Sequence, residues 1–225
     1  MEADTDHARQ DIDQAISVGF DAFALNVGRP TEPWAISTVQ QLFDYAGSRD
    51  GDFKLFFSFD FHQTPDIGAH KTLLDQFRDH PAHLTYGDGD RAVLSSFGGG
   101  DLGPDTWREF GSANGLYLLP NLEADGSYYS DPSAFFGAWG DAIDGVFSWE
   151  TAWPETSETP VNVSSVQDES VKAAADAAGK SYMMGMRSFS PFSPGLGWRA
   201  RWHKAEPTNM KNYRPILTPV QALLQ

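Results

Sequence analysis

Lys54 to Phe61 read K-L-F-F-S-F-D-F, and this stretch decides the fold. Leu55 to Phe59 form an apolar run of strand length, rich in aromatic residues, so the segment predicts a strand buried on both faces. Asp60 stands where that strand should end. A carboxylate there costs desolvation energy unless it faces a polar cleft. Several other predicted strands also end on polar residues, a repetition that points to acidic chemistry at one rim of an α/β barrel.

Outward from this strand the pattern alternates helix and strand. Ile12, Ala15, Ile16 and Gly19 recur at helical spacing before a strand over Ala22 to Val27. Ile36, Val39, Leu42, Phe43 and Ala46 form a second helical stripe ahead of Lys54. Leu73, Leu74 and Phe77 mark a third helix, which should stop near His80-Pro81. Strands are then predicted over Arg91 to Phe97, Leu116 to Leu119, Gly145 to Trp149 and Ser181 to Met186. Helices over Asp105 to Ser112, Phe135 to Ile143 and Val166 to Ala178 separate them. Strands that alternate with helices predict a parallel sheet with right-handed crossovers. An open doubly wound sheet and a barrel both fit this pattern. No G-x-G-x-x-G follows the first strand, which weakens the nucleotide-binding sheet. Thr151 to Val163, rich in Pro, Thr, Ser and Glu, reads as a long loop after a strand, so a single domain over residues 1–225 is expected. From about residue 188 the pattern is irregular.

The 225 residues carry 31 acidic and 16 basic side chains, a formal charge of -15. That balance argues against nucleic acid, whose phosphates require Lys and Arg, and suits a neutral ligand. Cysteine is absent, which removes disulfides, a thiolate nucleophile and zinc-cysteine sites. No apolar run reaches the length of a membrane span. Met1 to Arg9 is acidic and polar and does not read as a signal peptide, so the chain as it stands reads as cytoplasmic. A monomer with no cofactor and no metal is expected.

In parallel α/β folds the C-terminal strand ends form the functional edge. Here those ends are Asn26, Asp60, Phe97 to Gly100, Asn121 to Asp125, Trp149-Glu150 and Arg187. Paired carboxylates at a rim are the equipment for cleaving a glycosidic bond: one protonates the leaving oxygen, the other activates water or attacks the sugar. The plainer role for any one such acid is to cap the helix that follows. His62 follows Asp60 closely and is placed on the same rim. The histidines form neither H-x-H nor H-E-x-x-H, and no G-x-S-x-G is present, so metal and serine hydrolases have little support. Trp149 and Trp153 are candidates for stacking on a sugar ring, with core packing as the alternative.

Four stretches resemble the fungal α-1,3-glucanases (mutanases) of glycoside hydrolase family 71. They are D-I-D-Q-A-I-S-V-G-F-D-A-F-A-L-N (Asp11 to Asn26), K-L-F-F-S-F-D (Lys54 to Asp60), D-G-V-F-S-W-E-T-A-W-P (Asp144 to Pro154) and G-K-S-Y-M-M-G (Gly179 to Gly185). The resemblance implies a TIM-type (β/α)8 barrel that hydrolyses the cell-wall polymer α-1,3-glucan by inversion, without a cofactor. It implies secretion or wall association. It places Asp60 on a family active-site acid, and Asn26 and Trp149 on rim positions that touch sugar. The family's first strand, A-H-F-M-V-G, and its eighth-strand block, W-N-D-Y-G-E, have no counterpart here, so an incomplete barrel is expected, with strands resembling two to seven present. The candidate catalytic residues are therefore Asp60, Glu150 and Glu123, and the candidate substrate-binding residues are Asn26, His62, Asp125, Trp149 and Trp153. The expected activity is that of a truncated, inactive relative of the α-1,3-glucan hydrolases. A non-catalytic glucan-binding barrel and a non-functional fragment are the alternatives.

Overall fold

The computed structural model of the chain describes residues 5–49, 53–149, 165–187, 198–203 and 218–220. The chain runs through α1 (Thr5–Ser17), β1 (Ala22–Val27), α2 (Pro33–Ser48), β2 (Lys54–Asp60), α3 (Ile67–Phe77), a short β3 (Thr85–Tyr86) and β4 (Arg91–Phe97). It continues through α4 (Gly103–Asn114), β5 (Leu116–Leu119), α5 (Ser127–Ser130), α6 (Pro132–Trp139), β6 (Gly145–Ser148), α7 (Val166–Ala177), β7 (Ser181–Arg187), β8 (Trp198–His203) and β9 (Thr218–Val220).

Local chemistry sets several of these boundaries. The Asp66 carboxylate accepts from the Gly68 N–H at 2.9 Å and starts α3. Asp131 accepts from the Ala134 N–H at 3.0 Å and starts α6, with Pro132 in the first turn. Helix α6 ends at Trp139, short of the expected Ile143. Ala142 and Ile143 are buried in the turn into β6, so apolar spacing outlasts the helix.

Strands β1, β2, β4 and β5 pair in parallel, in that order, as the alternating pattern predicts. β6 and β7 also pair in parallel. Two backbone hydrogen bonds join the two sheets, from Asp144 N to Leu118 O and from Phe147 N to Pro120 O, both 3.0 Å. The remaining pairings depart from the all-parallel expectation. β3 forms an antiparallel hairpin with β4, and the chain just before it pairs with Leu55, so it wedges between the starts of β2 and β4. β8 pairs antiparallel with β7, and β9 pairs antiparallel with β8, which extends the second sheet inside the segment expected to be irregular. β9 comes within 8 Å of β1, Cα to Cα. Among the described residues no ladder joins them, so the paired sheet is not closed.

The period of two along each strand separates two faces. Leu25, Val27, Leu55, Phe57, Phe59, Leu94, Leu118 and Val146 pack against the helices. Phe43 of α2 lies between Phe57 (centroids 5.7 Å) and Phe77 of α3 (4.7 Å, stacked). Ala24, Phe56, Val93, Tyr117, Leu119, Phe147 and Met183 form a second cluster on the opposite, inner face. Leu55 to Phe59 are each 0% exposed, so β2 has no wet face. Gly145 begins β6 on the inner side, where an added Cβ would lie 2.2 Å from Ser181 O; the strands approach too closely there for a side chain.

At the N-terminal strand ends, Arg91 grips Asp144 with both Nη atoms (2.6 and 3.1 Å) and also donates to Leu116 O at 2.9 Å. Asp144 accepts in turn from Leu118 N at 2.9 Å, so one ion pair ties β4, β5 and the entry to β6. The β3 wedge is held by His83, whose Nδ1 lies 3.0 Å from Phe77 O and whose Nε2 lies 3.0 Å from Val93 O.

Two predictions follow from this packing. Phe57→Ala should cost about 3–5 kcal/mol of unfolding free energy, measured in denaturant titrations, because its ring contacts α2, α3 and the wedge at once. The second concerns acid. Burial pulls both His70 and His83 below the ordinary 6.5, although their carbonyl partners favour the proton. A histidine depressed in the folded state contributes stability above its unfolded pKa and loses it as pH falls through the folded one. The denaturation midpoint should therefore drop between about pH 7 and about pH 5, and drop less in His70→Gln.

Candidate active site

The inner face changes from apolar to polar as the strands approach their C-terminal ends. Register pairs Asn26 of β1 with Ser58 of β2, Ser58 with Ser95 of β4, and Asp60 with Phe97. Ser95 Oγ donates to Leu119 O at 2.9 Å. Asn26 Nδ2 and Ser58 Oγ are buried and have no hydrogen-bond partner among the described residues. The same holds for Nε1 of Trp149, which directly follows β6. Its ring lies in the inner cluster against Phe97 (4.8 Å) and Phe147 (5.2 Å).

Asp60 sits half-buried at the mouth of this face. Its Oδ1 accepts from the backbone N–H of His62 (3.0 Å) and Gln63 (3.2 Å), which fixes the turn leaving β2. Oδ2 takes no part in that turn. The His62 ring rests on Phe97 at 4.9 Å and covers Gly98. Gly98 has φ +75°, which favours glycine, and a Cβ there would lie 2.9 Å from His62 Nε2, so the exposed His62 ring would have to shift. Successive contacts thus run from Asp60 through His62 and Phe97 to Trp149.

Glu123 and Asp125 lie beside this rim in a different chemical state. The Glu123 carboxylate accepts from at least four groups among the described residues. Ser148 Oγ (2.7 Å) and Tyr129 Oη reach Oε1, while Trp149 N (2.5 Å) and Asn121 Nδ2 reach Oε2. Asn121 also donates to Phe147 O at 3.0 Å and accepts from Gly98 N at 3.3 Å. Asp125 accepts from Ser127 N (2.8 Å), Ser127 Oγ (2.6 Å) and Trp139 Nε1 (3.0 Å). Burial alone would raise the Asp125 carboxyl, but these bonds outweigh it and hold the group below its ordinary range. Of the other two candidates, Glu150 and Trp153 lie outside the described residues.

The network extends to residues that sequence reasoning did not single out. Asp168 in the first turn of α7 is buried and accepts from Tyr182 Oη at 2.6 Å. Burial pushes the Asp168 carboxyl up, and the Tyr182 bond opposes it. Tyr129 and Tyr182 are both raised well above 10.0 by burial, and each donates to a carboxylate. In the sequence Asp168 looks like an ordinary first-turn acid, and nothing local marks it. Ser58 was visible: it shares the parity of Asp60 inside an otherwise apolar run. Among the described residues there is no group of three or more His, Asp or Glu suited to a metal ion, and no helix long and apolar enough to cross a membrane.

The Gly98 turn can be probed directly. Gly98→Ala should destabilise by about 1–2 kcal/mol from the left-handed backbone alone, with a further loss from collision with His62. In a His62→Ala background only the backbone part should remain, as read from denaturant midpoints.

A glucan endo-1,3-alpha-glucosidase of Schizosaccharomyces pombe is 29% identical over 202 residues, covering 82% of this chain and 42% of the relative. A mutanase of Penicillium rubens is 29% identical over 191 residues, covering 83% and 38%. An ascus wall endo-1,3-alpha-glucanase of Schizosaccharomyces pombe is 25% identical over 238 residues, covering 93% and 50%. The chain therefore spans half or less of the length of each of these relatives. In three dimensions it is similar to a GH99 endo-alpha-mannosidase of Bacteroides thetaiotaomicron. The TM-score is 0.60 at 15% identity, over 85% of this chain and 61% of the other, a likeness of fold alone. The sequence model of Glycosyl hydrolase family 71 matches residues 2–205, nearly the whole chain. With its strand-end acids, its inner polar face and this match, the chain belongs to glycosyl hydrolase family 71.

Proposed function

We propose that this chain acts on α-1,3-glucan as a glycoside hydrolase, with Asp60 as the acid that faces the sugar and Glu150, directly after Trp149, as the second carboxylate. One observation carries the reading: Asn26 Nδ2, Ser58 Oγ and Trp149 Nε1 are buried without partners among the described residues, on the same inner face as Asp60. Leaving such groups unpaired costs about 1–3 kcal/mol each, and sugar hydroxyls, which both donate and accept, answer that need. Trp149 supplies an apolar ring beside them. The charge of -15 fits a neutral polymer. Relatives bearing endo-1,3-alpha-glucanase and mutanase names support the choice of linkage. A wall polymer as substrate puts the site of action at the cell wall.

The fold proposed for this work is a single domain with barrel-type curvature, in which β9 lies beside β1 and brings the ends of the strand order together. His62 lines the mouth beside Asp60, and a monomer suffices for the chemistry.

A second reading is a sugar-binding barrel without turnover. It is favoured by the way Glu123 and Asp125 commit their oxygens to protein donors, which leaves Asp60 as the rim acid with an oxygen outside such bonds among those described. Reducing-end release from insoluble α-1,3-glucan separates the two. Hydrolysis by the wild-type chain that falls about 100-fold or more in Asp60→Asn, with pull-down on the polymer retained, supports the hydrolase. Pull-down without sugar release supports the binding protein. Wild-type hydrolysis rates in Asp60→Asn would remove Asp60 from the chemistry.

A further inference from the structure

We propose that Glu123 is a positioning residue, a hydrogen-bonded anchor that sets the Trp149 ring and the Asn121–Gly98 contact at the rim, and takes no part as an acid or base. As a role in glucan recognition this rests on the function proposed above. The geometry of the anchor stands apart from it.

The argument begins with what each partner can donate. An ionised carboxylate only accepts, and Glu123 receives four hydrogen bonds. Two of the donors, the Trp149 backbone N–H and the Asn121 amide, both reach Oε2. The backbone N–H cannot reverse. The Asn121 amide is held in its orientation because its Oδ1 accepts from Gly98 N while Nδ2 also serves Phe147 O. A proton on Glu123 is therefore confined to Oε1, where the Ser148 and Tyr129 hydroxyls can rotate to accept it. Parity places Ser148 on the side of β6 that faces the helices, opposite Phe147 and Trp149. Oε1 and its Ser148 partner therefore lie on the helix side, away from the inner face where a sugar would sit.

The same bonds give the carboxylate a mechanical task. Trp149 N is pulled to Oε2 at 2.5 Å, which orients the residue whose ring contacts Phe97 and Phe147. Through Asn121 the anchor reaches Gly98, the residue covered by His62. One side chain thus ties together the ends of β4, β5 and β6.

The test compares Glu123→Ala with Glu123→Gln. Glutamine can direct its oxygen at Trp149 N and Asn121 and its amide at the two hydroxyls, so it preserves the anchor without the charge. Tryptophan emission of the unliganded chain is the first readout. Glu123→Ala should shift emission to longer wavelength, Glu123→Gln should shift it less, and the Ala shift should vanish in a Trp149→Phe background. Adsorption to insoluble α-1,3-glucan is the second: roughly tenfold weaker for Ala, with partial rescue by Gln. Should Glu123→Ala not melt cooperatively, Ser148→Ala removes one donor and keeps the carboxylate. A smaller shift that also vanishes with Trp149→Phe is then expected. The proposal is overturned if Gln and Ala behave alike in emission, or if the shift of the Ala (or Ser148→Ala) variant survives Trp149→Phe. Absence of glucan adsorption by the wild-type chain would defeat the proposed substrate, while the emission comparison still decides the anchor.

Discussion

Everything in this fold follows from a strand that has no wet face. Leu55 to Phe59 are buried from both sides, so the chain must place helices over one face of β2 and other strands' side chains over the second. Once that is done, water reaches the strand only at its ends. Asp60 stands at such an end, where its Oδ1 accepts from the backbone N–H groups of His62 and Gln63. The location of the candidate chemistry is therefore a by-product of covering five consecutive apolar-run residues.

The rim acids, which look alike in the sequence, divide by how their oxygens are used. Asp125 closes a turn and receives an indole N–H. Glu123 gathers donors from β6, from α5 and from the chain just after β5 and β6. Among the described residues, Asp60 alone of these three keeps an oxygen outside the hydrogen bonds described. Among the described residues, more of these rim carboxylates are committed to protein donors than left toward the cleft. That division makes sense at a strand-end rim, where loops carry unpaired backbone N–H groups and acids are the cheapest acceptors to place there.

What could be read from the sequence was local. The parity of Ser58 and Asp60, the stripes of α2 and α3, and the alternation of strand with helix all lie within short windows, and the parallel core β1-β2-β4-β5 followed from them. What could not be read was long-range or weakly patterned. Strand β3 has two residues, too few for a period, and its place is set by His83 reaching two carbonyls. The antiparallel β8 and β9 lie among Pro, Gly and basic residues that carry no alternation of apolar side chains. Glu123 meets Trp149 and Ser148 across more than twenty positions, and Asp168 meets Tyr182 only once α7 is docked. Sequence spacing contains no trace of such encounters.

The seam between β5 and β6 has a mechanical meaning. Two backbone bonds cross it, and a charged clamp closes each end: Arg91 with Asp144 at the base, Glu123 with its donors at the rim. The base clamp is about a third exposed on the arginine side, within reach of dissolved ions, whereas the rim clamp is built from groups that water and salt screen less. Salt should therefore weaken the ion pair at the base more than the hydrogen bonds at the rim, which makes the seam least sensitive to ionic strength beside the cleft.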